Sequence, residues 1–449
     1  MTLHLAQFYQ ACDPDPIEMQ NPEELRYYID FTEVRGENVI QQLKNAIALS
    51  GNKPSCQLFT GHIGCGKSTE LSRLESELTD AGFHVVYFRA TEKDLNELDV
   101  DIPDILLAIA REVLTNLEQH KVVLEPKGLR AILKKTAEVL QTNIEIKDFD
   151  FSLPLGIWKI TAAAKSSQPV RSQLRQYLGP QTSEILKYIN EEIIDIANQQ
   201  LQHKNKKGLV IIVDNLDRIQ EDRTSVSTQV LPKYLFVDNA DKLRAFRCHL
   251  VYTLPLSLIY SNERELLINR LGGGSSPIIL PMVPVRSRDG REHSRGLELL
   301  RSMVLKRAFP EASFEESSTR IAEVFESGET LDKLCRVSGG HVRNLLAMLR
   351  DCLRQGTLPI SDKVLNKVIK TKSEGLLLAI NEDEWELLFK VEKEQKVKGD
   401  VEYQILLRSL FVFEYQNNDG SSWFGLNPLL FETDKYKSWK EQNSGAFQL

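Results

Sequence analysis

The stretch "FTGHIGCGKST", residues 59–69, decides how this chain is read. Gly61, four further residues, then Gly66, Lys67 and Ser68 is the spacing of a loop that wraps phosphate in backbone N–H groups. Glycines at 61, 64 and 66 let those groups turn inward, and a following helix aims the positive end of its dipole at the same place. Such a loop needs a strand before it and a helix after it. "SCQLFT" (55–60) reads as a short buried strand, and "STELSRLESELTDAG" puts Leu71, Leu74 and Leu78 on one helical face. The spacing therefore predicts a nucleotide cradle made of Gly61, His62, Ile63, Gly64, Cys65, Gly66, Lys67, Ser68 and Thr69. Lys67 bridges the terminal phosphates and Ser68 ligates Mg2+.

Outward from the loop the pattern is that of a parallel α/β sheet. A helix is expected from about Glu37 to Leu49, then the loop and its helix, a strand in "FHVVYFRA", and a strongly amphipathic helix in "DIPDILLAIAREVLTNLEQH". "GLVIIVDNLDRI" (208–219), "AFRCHLVYTLPLSL" (245–258) and "SPIILPMVPV" (276–285) are three further core strands. Residues 121–207 are an insert before the first of these. In it, "NIEIKDFDFSLPLG" alternates at Ile144 and Ile146, then at Phe149, Phe151 and Leu153, which predicts a β-hairpin. That hairpin, with Phe149, Phe151 and Trp158, is a candidate surface for a partner. From about Ser294 the chain turns helical. Residues 381–449 read as two helices and a hairpin turning at Asn418-Asp419-Gly420, in the manner of a winged helix. Phe411, Trp423 and Phe424 alternate as hairpin core residues do.

A second chemical group accompanies the loop. In "LVIIVDNLD" an apolar run ends at Asp214, and a carboxylate at a strand's C-terminal tip faces the crevice in which such sheets bind ligands. Asp214 is the expected orienter of Mg2+. The next residue, Asn215, has no carboxylate to serve as a base, so Asp217 is the available activator of water. Thr253, at the tip of the following strand in "HLVYTLPL", offers a hydroxyl to the γ-phosphate or to the attacking water. Arg343, in "SGGHVRNLLAML", opens a helix after two glycines and is placed to fold back onto the γ-phosphate. Arg264 and Arg270, in "SNERELLINRLGGG", lie between the fourth and fifth strands, and Arg270 is the better placed to reach a neighbouring subunit's nucleotide.

This set of motifs, GHIGCGKST, VIIVDNLD, a polar strand tip at Thr253 and SGGHVR, resembles an AAA+ ATPase. It is similar, more narrowly, to the branch that holds origin-recognition ATPases and the STAND signalling ATPases. The "DNLDR" string also resembles that of the KAP ATPases. The resemblance implies a P-loop NTPase three-layer parallel sheet, an α-helical lid with a sensor arginine, and a winged-helix-like C-terminal domain. It implies ATP and Mg2+ as ligands, and places Val34 and Arg35, in "FTEVRGENVIQQL", beside the adenine. On this plan residues 1–26 are an N-terminal arm, 27–290 the ATPase domain with its insert at about 121–207, 291–380 the lid and 381–449 the winged-helix-like domain. Asn215 departs from the family's usual acidic residue, the insert is not a standard part, and no sensor repeats follow.

Composition bounds the function. The chain has 449 residues, 42% of them hydrophobic, and a net charge of −7, so contact with nucleic acid would need a local basic face. Six cysteines without ligand spacing read as reduced thiols, and the lack of a basic, apolar leader or a long apolar run reads as a cytoplasmic protein without a membrane span. The expected activity is Mg-dependent ATP hydrolysis, slow or dependent on a partner. It would drive a switch or motor that assembles, as a homo-oligomer or with a separate effector protein, in a setting such as prokaryotic defence. The alternatives are a DNA-binding ATPase that regulates replication or transposition, and a nucleotide-binding scaffold with negligible turnover.

Overall fold

The computed structural model describes residues 3–140, 152–220, 230–356 and 358–443. Contacts divide the chain into two compact units, one of Ile40–Thr60 and Glu70–Ile279, the other of Met1–Val39, Gly61–Thr69 and Leu280–Leu449.

The first unit is built on a five-stranded sheet in the order β2-β3-β4-β1-β5. Its strands are β1 (Ser55–Gly61), β2 (His84–Arg89), β3 (Leu209–Asp214), β4 (His249–Leu254) and β5 (Ile278–Leu280). The pairs β1·β4, β3·β4 and β2·β3 are all parallel. β3 and β4 are buried at every residue, which is why they read as unbroken apolar runs rather than as alternating ones. β5 is much shorter than the expected 276–285, because Pro281 and Pro284 bring no N–H to a ladder.

Helices cover this sheet. The one after the loop, Lys67–Asp80, buries Leu71, Leu74 and Leu78 completely. Ile102–Gln119 starts at a capping box between Asp101 and Asp104 with Pro103 in its first turn, and buries twelve of its eighteen residues. The described part of the insert is helical: Lys127–Leu140, Leu153–Ser166, Gln168–Leu178 and Thr182–Tyr188, the last running through a π-helical segment Ile189–Ile194 into Asp195–His203. Most of the predicted hairpin lies outside the described residues, but Leu153 and Trp158 do not belong to a strand. They sit on the helix that Pro154 opens and that Leu153, Ile157, Ile160 and Ala164 bury at spacings of three and four. Trp158 is exposed on it.

The second unit has its own core. Phe8 and Cys12, in and beside a short helix Leu5–Ala11, pack with Phe31, Val34, Val283 and the helices Ser294–Ala308, Gly328–Val337, Val342–Leu353 and Asp362–Leu377. Helices Glu382–Glu394 and Val401–Arg408 lead into an antiparallel pair, β6 (Val412–Gln416) and β7 (Ser422–Leu426). Phe411, Trp423 and Phe424 are buried there, with Trp423 stacked on Tyr415 at 4.5 Å between ring centroids. All six cysteines are free and buried. Among the described residues no helix is long and apolar enough to cross a membrane.

Candidate functional site: a phosphate loop and a carboxylate turn

The loop Gly61–Thr69 is held by its own Lys67 and by donors from three other stretches of its unit. Lys67 Nζ donates to the carbonyls of Gly61 (2.8 Å) and His62 (2.9 Å). His341 Nε2 donates to Ile63 O at 2.8 Å, and the Arg343 N–H donates to Gly64 O at 3.2 Å. Arg35 Nη2 donates to Cys65 O at 2.7 Å. Five successive carbonyl oxygens, Gly61 to Cys65, are thus engaged by protein donors. A loop that offers its N–H groups to an anion requires this, because a carbonyl turned toward the anion would repel it. The N-terminal arm reaches the far end, where Ile17 N–H donates to Thr69 Oγ1 at 3.0 Å.

Glycine is needed at Gly64, where φ is 85° and a Cβ would lie 2.6 Å from His341 Cε1. The second glycine of the "SGGHVR" motif explains itself in the same way. Gly340 has φ 73°, and a Cβ there would meet Val283 O at 1.7 Å. That close approach delivers His341, the N-cap of Val342–Leu353, to the loop. His341 Nδ1 accepts from Asn344 N–H at 3.0 Å, so its proton sits on Nε2 and goes to Ile63. Burial, with the charges of Arg343 and Lys67 adding to it, holds this imidazole's pKa down to about 4.

His62 is turned away from the cradle. Its Nε2 accepts the main-chain N–H of Glu414, on β6, at 2.9 Å. Burial lowers its pKa to about 3, and the neighbouring His341 and Lys67 push the same way. Phe413 has its ring 5.8 Å from that of His62 and 5.7 Å from that of His341. Ser68 is half-buried. Val34 is buried in the core of this unit, and Arg35 is buried with its guanidinium against the loop and 5.4 Å from the Phe31 ring.

The carboxylates belong to the sheet unit. Asp214 ends β3, fully buried, opposite Arg89 of β2. Its Oδ1 accepts the Asn215 N–H at 2.7 Å and its Oδ2 accepts the Tyr87 hydroxyl at 3.1 Å. Burial and the adjoining Asp214 charge raise the Tyr87 phenol's pKa, so it stays a donor. Asn215 adopts a left-handed conformation, φ 65°, and turns the chain into a short 3-10 helix, Leu216–Arg218, on which Asp217 is buried. Thr253 anchors that turn. Its Oγ1 accepts the Leu216 N–H at 3.0 Å and lies 3.5 Å from Val213 O. Arg270, at the end of the helix Arg264–Arg270, is exposed and donates weakly to Val237 O at 3.4 Å.

Tyr87 and the loop-holding role of His341 escaped the sequence reading. The available signals were Tyr87 and Arg89 two apart on one face of a strand, and a histidine at the N-cap position directly after Gly339-Gly340.

A parallel sheet of this order, with a GxxxxGKS loop between β1 and its helix and an aspartate ending β3, is a P-loop NTPase fold. Residues 37–237 match the KAP family P-loop domain. No curated protein matches the chain in sequence. Among solved structures it is similar to the ORC2 protein of Aeropyrum pernix, described as ADPNP-ADP complexes (14% identity, 91% of this chain and 93% of that one, TM-score 0.40). It is also similar to the Walker-type ATPase PABY2304 of Pyrococcus abyssi (11%, 93% and 98%, 0.44) and to Cdc6p of Pyrobaculum aerophilum (14%, 94% and 97%, 0.37).

Proposed function

We propose that the protein binds and hydrolyses ATP with Mg2+, and that it works as a switch whose output passes to a separate partner protein. The observation that carries this is the cradle: five successive carbonyls, Gly61 to Cys65, engaged by protein donors at the start of the helix Lys67–Asp80. The residues fit the ligand. Lys67 is a buried cation inside the loop, Ser68 follows it, and Asp214 is a buried carboxylate whose orientation Tyr87 and the Asn215 N–H fix.

In this reading Lys67 binds the terminal phosphates, and Ser68 and Asp214 hold the metal ion. A bound Mg2+ supplies positive charge against the phosphate oxygens. Arg343, whose main chain already touches Gly64, neutralises charge on the same phosphates. Asp217 takes the proton of the attacking water, and Thr253 sets its position by anchoring the turn that bears it. Arg270 serves a neighbouring copy if the chain assembles into a homo-oligomer. Val34 and Arg35 flank the loop on the base side.

Phosphate release by the wild type, Lys67→Ala and Asp217→Ala tests the reading. Turnover in the wild type that falls to background in both variants supports it. Wild type that binds ATP but releases no phosphate, even with candidate partners, leaves a nucleotide-binding scaffold instead.

A second reading rests on the two helices that precede β6 and β7, the order of a winged helix. It makes the protein a DNA-binding ATPase. Salt-sensitive binding to duplex DNA supports it, and no binding at low salt removes it.

A further inference from the structure

The contacts of β6 point beyond nucleotide binding. In its register with β7, Glu414 lies opposite Phe424. Both main-chain groups of Glu414 have partners outside that strand. Its N–H goes to His62 Nε2 at 2.9 Å, and its C=O accepts the Met282 N–H at 2.9 Å. At Glu414 the edge of the hairpin is therefore closed by a side chain of the phosphate loop on the N–H and by the Met282 main chain on the C=O, and an edge left unpaired is otherwise costly to bury. The next residues reinforce the attachment. Phe413 lies against both His62 and His341, and the Tyr415 hydroxyl donates to Gly339 O at 2.9 Å, just before the turn that delivers His341. Tyr415, Phe413 and Glu414 are all essentially buried.

His62 is held at both ends. Its ring accepts from Glu414, and its carbonyl accepts from Lys67 Nζ, at 2.9 Å each. Any phosphate that the loop binds competes with the Gly61 and His62 carbonyls for that ammonium. Loss of the Lys67 bond leaves the His62 carbonyl with the Cys65 N–H alone, at 3.2 Å, so the His62 peptide is freer to turn and its imidazole with it.

We propose that His62 is a positioning residue that couples the loop to the β6–β7 hairpin: nucleotide engaging Lys67 loosens the hairpin's hold on the loop. This rests on the nucleotide-binding reading above and adds the route by which the bound state reaches the C-terminal segment. The hairpin then reports on the loop without touching the nucleotide.

Hydrogen exchange of the full-length protein over residues 411–416, with and without saturating ATP and Mg2+, tests the coupling. A fluorescent ATP analogue measures binding in parallel. In the wild type, nucleotide should speed exchange at β6 by about fivefold, the effect of losing one hydrogen bond of ordinary net strength. In His62→Ala, exchange should already be fast without nucleotide and should not respond to it. His62→Gln keeps an acceptor near the Nε2 position and should keep the response, and it serves if the alanine variant does not fold. Phe413→Ala, outside the loop, should weaken the response. Nucleotide that binds while β6 exchange stays unchanged or slows overturns the coupling, as does a His62→Ala variant that responds like the wild type. If the analogue does not bind, the nucleotide reading itself fails, and the coupling with it.

Discussion

Around the phosphate loop, the holding groups act mainly on main-chain atoms. Lys67, Arg35, His341 and the Arg343 amide all end on loop carbonyls. At the end of β3 the arrangement is reversed. There two side-chain hydroxyls from the neighbouring strands, Tyr87 and Thr253, steady a turn that bears the carboxylates Asp214 and Asp217. The loop's chemistry is in its backbone, so its surroundings must fix backbone orientation, and a substitution at a variable position changes little unless it alters that frame. The carboxylate turn depends on particular side chains and on the hydroxyls that aim them. The two regions should therefore fail differently when altered.

The largest effect should come from Lys67→Ala, which removes the side chain proposed to bind the terminal phosphates. Nucleotide affinity or turnover should drop at least about 100-fold, beyond what the lost bonds to Gly61 and His62 cost in stability. Titration with a fluorescent ATP analogue reads it, and an unaltered affinity would break the contrast at its first point.

Acid sensitivity should come next, from the imidazoles of the loop's frame. His341 is held down to about 4 in the folded protein. Its unfolded value is about 6.5, so between those limits the unfolded chain binds a proton that the folded chain does not. Stability attached to the neutral ring is full at neutral pH and declines as pH falls through that window. The loss is on the order of 3 kcal/mol by its lower end. His62, held down to about 3, adds to the same trend. Urea midpoints from about pH 7 to about pH 4 measure it. His341→Asn keeps a helix-capping oxygen and should flatten the profile.

At the carboxylate turn the effects should be smaller and side-chain specific. Thr253→Val preserves shape but leaves the buried Leu216 N–H without its acceptor, costing about 2 kcal/mol of stability. Turnover should fall with it, because the turn that bears Asp217 loosens. Tyr87→Phe removes one donor from Asp214 and should cost about 1 kcal/mol. Its signature is weaker Mg2+ dependence of nucleotide binding rather than lost binding. If Tyr87→Phe damaged the protein more than Thr253→Val, the ranking of the two anchors would be reversed.

The sequence made the loop legible because its signal is local: GxxxxGKS, a strand before it and Leu71, Leu74 and Leu78 after it all lie within a few turns of chain. Asp214 was legible for the same reason, as the end of an apolar run. Tyr87 was not, because its meeting with Asp214 depends on β2 lying next to β3, an order that no local pattern states. Nor was the use of His62, since its partner is 352 positions away and is a main-chain N–H. The insert misled in a different way. Alternation at Phe149, Phe151 and Leu153 suggested strands, while the helical spacing of Leu153, Ile157, Ile160 and Ala164 after Pro154 was equally visible and decided that part. At Asn215 the backbone accounts for a residue that chemistry alone did not. At φ 65° asparagine is among the few side chains that sit comfortably, so a glutamate installed there would oppose the turn.

The six cysteines have a practical consequence. All are free and buried, and burial pushes the thiols of Cys12, Cys56 and Cys352 up to about 12 and raises those of Cys248 and Cys335 further. Thiol-directed dyes attack the thiolate, and need access to it. A single cysteine introduced on the solvent-facing turn between β6 and β7, at Asp419 for instance, should be labelled far ahead of the native six. The protein thus permits a fluorophore at the hairpin without first removing any of its own thiols.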